Sequence, residues 1–380
     1  RQERPLTYLA LPSTLAHLTD DDGSPLCVEC ASSLWGEEPA GREWQDRFYS
    51  ELTSRGWLRA EDVNDLWTFP APDGLCRLLV VVDDLLFSED SPLQRRVSRD
   101  LCAHLSALFG DVRYDSNPTS FKGFSISRDR ASRSLSLTMP QKIVEAARQH
   151  LPELLDGQPL PPLPAGKKLA DAADGLLLAP RSSHKLTPPQ LRTQQLIGSL
   201  KFLELLHPRI SLILHRLSCV MSSPPAEAYD VARAALALAH HEKDVGITYG
   251  GLALSSSPRF AAAIAANVDL SEPAPAHLEA LADATWGDRN IYIYAVLLTF
   301  GGGAIMHQTK KLALIVDSSM EAEAIASCKA AEGVSYAREI LRAIGVPLEG
   351  PTLIGTDNLA NMRVGSLRSA PSRARHFMRR

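Results

Sequence analysis

Asp83 and Asp84 stand side by side in RLLVVVDDLLF, residues 77–87, with apolar residues on either side. Burying a carboxylate without a partner is very costly, so a run this apolar carries two acids at its middle only if they lie on a turn or meet a positive charge. A second set of acids is spread over residues 277–380. HLEALADATWGDR places Asp283 and Asp288 in and just after a short strand, DSSMEAEAIAS puts Glu321 and Glu323 at the start of an alanine-rich helix, and PTLIGTDNLA is a strand ending in Asp357. Glu321 and Glu323 are two apart, about 200° around a helix, so only one can face a given site. Carboxylates converging from separate elements repel one another, and such groups persist where a divalent cation neutralises them. The plainer alternatives are a solvated turn for the aspartate pair, since Asp favours turns, and first-turn acids complementing the helix dipole for the glutamates.

The elements that must hold these acids follow from periodicity and breakers. IYIYAVLLTF, GGG and AIMHQTKKLALIV read as two apolar strands across a glycine turn. The alanine-rich helix after them has Asp317 or Ser319 as its expected N-cap and Gly345 as its stop. Residues 1–150 mix strands such as LCRLLVVV and FKGFSIS with a helix at REWQDRFYSELTSRG, with breaks at Gly110 and Asn117–Pro118. Residues 151–187, rich in Pro, Ala and Gly, read as a semi-extended linker. Residues 188–250 are helical, with apolar positions three and four apart, 251–276 form a second loose connection, and 277–380 form an αβ unit. The expected class is α+β, with α/β character in the last segment.

Composition bounds the function. A chain of 380 residues with 45% apolar and 22% charged residues has the balance of an ordinary globular protein and room for two or three domains. No apolar run approaches the roughly 18 residues of a membrane span, so no membrane partner is expected. The start, RQERPLTYLALP, has neither signal-peptide architecture nor a first methionine, as expected of a processed product or a fragment. A net charge of −4 weighs against a dedicated nucleic-acid binder, although SLRSAPSRARHFMRR at the end holds five arginines and no acid. Six scattered cysteines suit free thiols in an intracellular, cytoplasmic or nuclear, setting. The lone CVEC (Cys27 to Cys30) and the histidines at 207, 240 and 241 lack partners at ligand spacing.

Taken together, LADATWGDR, GGGAIMHQTKK, SSMEAEAIAS, IGTDN and SRARH resemble, in order and spacing, the ribonuclease H domain of copia-type retrotransposon polyproteins. The resemblance implies that Asp283, Glu323 and Asp357 are catalytic metal ligands, with two magnesium ions activating water and stabilising the leaving oxygen as the RNA strand of an RNA–DNA hybrid is cut. The family's fourth acid falls at Met378 here, just past the motif matched by Arg375 and His376. Arg373, Arg375 and His376 are the candidate nucleic-acid contacts, against a plain solvated tail.

Upstream, LIGSLKFLELLHPRISLILHRLSCVMSSPP and DVGITYGG resemble the segment joining polymerase to ribonuclease H, and VVVDDLLF is similar to the reverse transcriptase hairpin motif, with Val81 in place of the usual tyrosine. This implies a partial palm with Asp83 and Asp84 at a hairpin tip, metal as the waiting charge, and Asp83 as the main ligand, since adjacent strand residues face opposite ways. The further acid that two-metal chemistry needs lies, in the family, upstream of a stretch like Leu6 to Pro12, before Arg1. The family's aromatic-Gly-Leu-Lys-Gln-Ala-Pro-Arg run is matched by WGEEPAGREW, which keeps Trp35, Gly36, Ala40, Arg42 and Trp44 but sets Glu38 for the basic residue and Pro39 for the glutamine. An acid beside a triphosphate carries a like-charge penalty. The expectation is a reverse transcriptase and ribonuclease H portion, polymerase-inert as it stands, that cleaves hybrids with magnesium. The alternative is a domesticated, non-catalytic relic serving as a structural or binding subunit of a host assembly or of the remaining polyprotein.

Overall fold

Alternating apolar residues through 66–88 build an antiparallel meander, and two amphipathic helices cover it. The computed structural model describes residues 8–10, 14, 18–29, 40–61, 63, 65–157, 163–178, 185–250, 278–285, 292–312, 316–348 and 350–359. Within these the fold is mixed α+β, with several small sheets. The chain divides into two compact units, Arg1–Tyr114 with Ala343–Val346, and Asp115–Arg342 with Pro347–Arg380.

In the first unit β1 (Tyr8–Ala10) pairs with β2 (Cys27–Glu29). Helix α1 (Ala40–Ser54) leads into a sheet of β3 (Leu58–Arg59), β4 (Leu66–Ala71), β5 (Gly74–Val81) and β6 (Asp84–Ser88), in that order, and α2 (Pro92–Phe109) follows. Cys76, Leu78 and Val80 alternate inward on β5 and meet Trp67 of β4, Phe48 and Leu52 of α1, and Leu101 and Leu105 of α2. The strand's period of two and the helices' steps of three and four thus close one core. Ser91 caps α2, its Oγ accepting from the Gln94 N–H at 3.1 Å, with Pro92 at the first helical position where its missing donor is harmless. Gly110 ends the helix at φ 99°.

In the second unit β7 (Ser120–Phe121), β8 (Phe124–Asp129) and β9 (Ser134–Thr138) form a meander completed on the far side of β9 by β10 (Ile247–Gly250). FKGFSIS is therefore a hairpin rather than one strand. Lys122 and Gly123 take φ values of 49° and 85°, the positive pair that a two-residue turn between antiparallel strands requires. Between β9 and β10 run α3 (Pro140–His150), α4 (Lys167–Leu176), α5 (Pro188–Leu203), α6 (Ser211–Cys219) and α7 (Glu227–His241), packed around Ile143, Leu169, Leu196, Leu200, Leu214 and Val231. Because β9 pairs with β10 and Ile143 of α3 joins this core, residues 115–150 belong with the helices and not with the first unit. The expected linker at 151–187 also needs correcting. It contains α4, whose Leu169, Ala173 and Leu176 recur at helical spacing and are buried. The expected connection at 251–276 lies outside the described residues.

The last sheet uses β11 (Leu278–Thr285), β12 (Ile293–Phe300) and β13 (Gly303–Lys311), followed by α8 (Ser319–Ala343) and β14 (Leu353–Gly355), in the order β13-β12-β11-β14. Gly301 and Gly302 turn the β12–β13 hairpin at positive φ. Ala322, Ala326, Ala330, Val334, Ala337 and Leu341 make the buried stripe of α8. Gly333 lets that helix approach the sheet, since a Cβ there would come within 2.5 Å of Met306 Cε and 3.5 Å of Leu298 Cδ1.

Candidate metal centre

The site is made by strands that run together and then part. β11 pairs with β12 along its whole length, Asp283 opposite Ala295, but pairs with parallel β14 only from Glu279↔Leu353 to Leu281↔Gly355. Asp283 lies two residues past Leu281 and Asp357 two past Gly355, so the two acids occupy matching steps on neighbouring chains, and both are exposed. Where the pairing ends, the Ala284 N–H donates to Glu323 Oε1 at 3.2 Å, and the Thr356 hydroxyl donates to Oε2 at 3.4 Å. A strand N–H points along the plane of its sheet, so the Glu323 carboxylate sits at the sheet edge, in the gap β14 leaves.

Glu321, also buried, is used differently. Its carboxylate accepts the Asp317 N–H at 2.9 Å, while its own N–H donates to Ser318 Oγ at 3.2 Å. This is close to a capping box, and it places the N-cap at Ser318, between the two expected residues. With Glu321 committed to the helix start, Glu323 is the helix acid that turns to the strands.

Asp283, Glu323 and Asp357 each bring a carboxylate oxygen within 4.8 Å of the others. Glu323 is only 5% exposed. Burial chiefly, then the charges of Asp283 and Asp357, push its carboxyl above the usual carboxylate range, against the lowering effect of the Ala284 and Thr356 donors. Three hard oxygen donors whose mutual repulsion a cation would cancel fit magnesium-type ligation. Among the described residues no other group of three His, Cys, Asp or Glu side chains gathers in this way.

Two curated proteins of Arabidopsis thaliana match along most of the chain. One, a retrovirus-related Pol polyprotein from transposon RE1, is 24% identical over 347 residues and covers 90% of this chain. The other, from transposon RE2, is 23% identical over 345 residues with the same coverage. The chain is a retrotransposon Pol-polyprotein homologue. It spans 21% of the length of each of these relatives. No family model matches the chain.

In this Pol homologue the other expected site residues are arranged differently. Asp83 lies in the two-residue turn between β5 and β6, and Asp84 opens β6 opposite Val81. Strand alternation therefore does not decide between them, because only Asp84 is in a strand. Val82 beside them takes φ 58°, rare for a β-branched residue, and is 73% exposed. The pair is exposed and joins no third ligand-type acid at metal-binding distance among the described residues. Trp44, from the WGEEPAGREW run, stacks on Phe48 with ring centres 5.0 Å apart. Trp35, Gly36, Glu38, Pro39, Cys30, Trp286, Asp288, Arg373, Arg375, His376 and Met378 lie outside the described residues. Thr356, which anchors Glu323, was not singled out from sequence, although it directly precedes Asp357 in GTDN.

Proposed function

We propose that this Pol homologue is the reverse transcriptase and ribonuclease H portion of a copia-type polyprotein, polymerase-inert as it stands, and that its last αβ element cleaves the RNA strand of RNA–DNA hybrids. The observation that carries this is the convergence of carboxylates from three separate elements, Asp283 of β11, Glu323 of α8 and Asp357 after β14, within 4.8 Å. The sheet order β13-β12-β11-β14, with β14 parallel to β11 and a long helix between them in sequence, supports a ribonuclease H-like arrangement for residues 277–380. Residues 1–114 would then derive from a palm and 115–250 from the segment that follows it. Asp83 and Asp84 on their hairpin turn suit the remains of a polymerase site.

Asp283, Glu323 and Asp357 would hold magnesium, two ions in the family, which when bound supply an activated water and stabilise the leaving oxygen. The chain's own part is to orient and expose. Glu323 is fixed through both oxygens by Ala284 and Thr356, while Asp283 and Asp357 present theirs to solvent, where a nucleic-acid strand can approach. The implied partner is an RNA–DNA hybrid, in an intracellular setting. No helix among the described residues is long and apolar enough to cross a membrane.

The test is magnesium-dependent cleavage of a labelled RNA–DNA hybrid, with Asp283→Asn as control. Cleavage that disappears in the variant supports the nuclease. A folded protein that neither cuts nor binds magnesium by calorimetry removes it, and leaves a non-catalytic relic retained as a structural or binding subunit.

A further inference from the structure

The second unit carries a hollow that the acid cluster does not use. It has a volume of about 520 Å³ and lies where the β8–β9 turn meets β10 and the β12–β13 turn. Its lining joins Arg128, Arg130 and Arg133 to the apolar bodies of Leu135, Tyr249 and Phe300. The three arginines are exposed, and none forms an ion pair with a described residue. Asp129 between them is already committed. Its Oδ1 accepts the N–H groups of Ala131 and Ser132 at 2.9 and 3.3 Å, and its Oδ2 accepts the Ser132 hydroxyl at 2.7 Å. The aromatic wall is held in place, since the Tyr249 hydroxyl donates to Ala304 O at 2.7 Å and a Cβ on Gly303 would sit 2.5 Å from the Tyr249 ring. Guanidinium forks match carboxylates in pairs. An occupant that fits therefore carries acids in front and apolar groups behind them, because a purely ionic one leaves the leucine and aromatic surface uncovered.

The first unit presents a protrusion of that description. Residues 18–27 are exposed throughout and form a narrow hairpin. Thr19 lies opposite Pro25, the Asp20 N–H donates to Ser24 O at 3.0 Å, and the Leu26 N–H donates to Leu18 O at 3.2 Å. Asp20 holds the turn, its Oδ1 accepting the N–H groups of Asp22 and Ser24 at 3.1 and 2.8 Å, and Gly23 takes φ 79°. Asp21 and Asp22 are left at the tip, and neither forms an ion pair with a described residue. Behind them Leu18 and Leu26, 40% and 41% exposed, stand opposite each other. Neighbouring like charges repel, and bare leucines are poorly placed in water. A cationic surface with an apolar floor relieves both.

We propose that the chain self-associates, the Asp21–Asp22 hairpin of one copy seated in the arginine hollow of a second. The aspartates meet the guanidinium forks, and the leucines cover Leu135 and Phe300. Hairpin and hollow are different surfaces, so the contact is heterologous. Every copy offers one of each, and association continues from copy to copy unless the rotation closes a ring. A single hairpin buries less than the ~1,600 Å² of a standard interface, so the association is transient and sensitive to salt. The contact is separate from the three acids and does not depend on their chemistry.

The experiment is sedimentation velocity of the full chain, freed of nucleic acid and in EDTA, at rising concentration. The salt series runs from low salt to roughly 1 M, where the screening length falls to about 3 Å. The unaltered chain should associate at low salt and disperse as salt rises. Asp21→Lys/Asp22→Lys and Arg130→Glu/Arg133→Glu should each weaken association by at least about a hundredfold, because attraction becomes repulsion. Mixed in equal amounts, these two variants should associate again. The aspartates of one then face the arginines of the other, and the introduced charges face one another with opposite sign. A charge-matched control, Arg95→Glu/Arg192→Glu, reverses exposed arginines of α2 and α5 and should associate like the unaltered chain. Leu26→Ser should weaken association with its salt dependence unchanged. Asp283→Asn should associate normally, so failure of the nuclease leaves this result intact. The proposal is overturned if the unaltered chain stays monomeric at every concentration, or if either reversed variant, shown folded by its melting curve, still associates. It is equally overturned if their mixture stays dispersed or the control disperses as they do.

Discussion

Replacing Asp357 by Asn removes one charge from a group of three while keeping the side chain's shape. At 4.8 Å, the upper limit on the separation of the ligand oxygens, two unit charges repel by about 0.9 kcal/mol in water and about 3.5 kcal/mol at an effective dielectric constant near 20. Asp357 is exposed, so the lower figure governs. Two partners, Asp283 and Glu323, then give about 1–2 kcal/mol of repulsion relieved. For a unit of this size that is a rise of about 3–6 °C in the metal-free melting temperature. The assay is differential scanning calorimetry of Asp357→Asn and the unaltered chain, in EDTA at low salt and then with magnesium added. A ligand at a hundred times its Kd stabilises by about 2.7 kcal/mol, so the unaltered chain should gain several degrees on adding magnesium, and the variant much less. Metal-free melting that is unchanged or lower in the variant, with an equal magnesium gain in both proteins, would refute the clustering and the ligation together.

Three further outcomes are expected. Burial and the two aspartates hold the Glu323 carboxyl above the usual range. The folded chain therefore keeps that proton at pH values where the unfolded chain has released it, and stability falls as pH rises from the ordinary glutamate value through the raised one; urea unfolding of Glu323→Gln should lack this fall, and superimposable pH profiles would sink the assignment. Gly246→Ala would bring a Cβ within 1.9 Å of the Leu137 carbonyl oxygen, separating β9 from β10 at a cost of about 3 kcal/mol in chemical denaturation; a loss too small to measure would contradict the close approach. Val82→Gly exchanges a positive-φ β-branched residue for one without that strain, a relief of about 1–2 kcal/mol offset by about 0.5–1 kcal/mol of chain entropy. It should leave stability level or slightly raised, and a clear destabilisation would mean that the Val82 side chain contributes contacts despite its exposure.

The acids were readable because each sits in an element with a strong local signal. Asp283 lies in an apolar strand, Glu323 in the first turns of an alanine-rich helix, and Asp357 just after a glycine-ended strand. The choice of Glu323 over Glu321 came from family resemblance. Its physical reason, Glu321 accepting the Asp317 N–H, depends on a bend before the helix that periodicity does not encode. Helix α4 was hidden by the prolines before it, which gave 151–187 the composition of a linker although Leu169, Ala173 and Leu176 keep helical spacing. The β9–β10 pairing was hidden for another reason. Strand partners distant in sequence leave no local mark except a glycine, Gly246, whose necessity emerges only once Leu137 is beside it.

That same pairing sets the order in which the second unit can be completed. Leu137 meets Ile247, so β9 waits for a partner that leaves the ribosome only after all of α3 to α7. Until then β9 is the outer strand of its sheet, with one row of backbone donors and acceptors open to any other extended chain. The helices pack chiefly on partners distant in sequence, α3 and α5 on α7 and α4 on α6, so the cluster closes only once α7 is present, and that closure shortens the loop that must close before β10 docks. A chain halted shortly before residue 247 would therefore carry a formed helical cluster and an open strand edge. It would be the most association-prone length in synthesis, and the unit becomes safe only when Gly246 has slid under the Leu137 carbonyl.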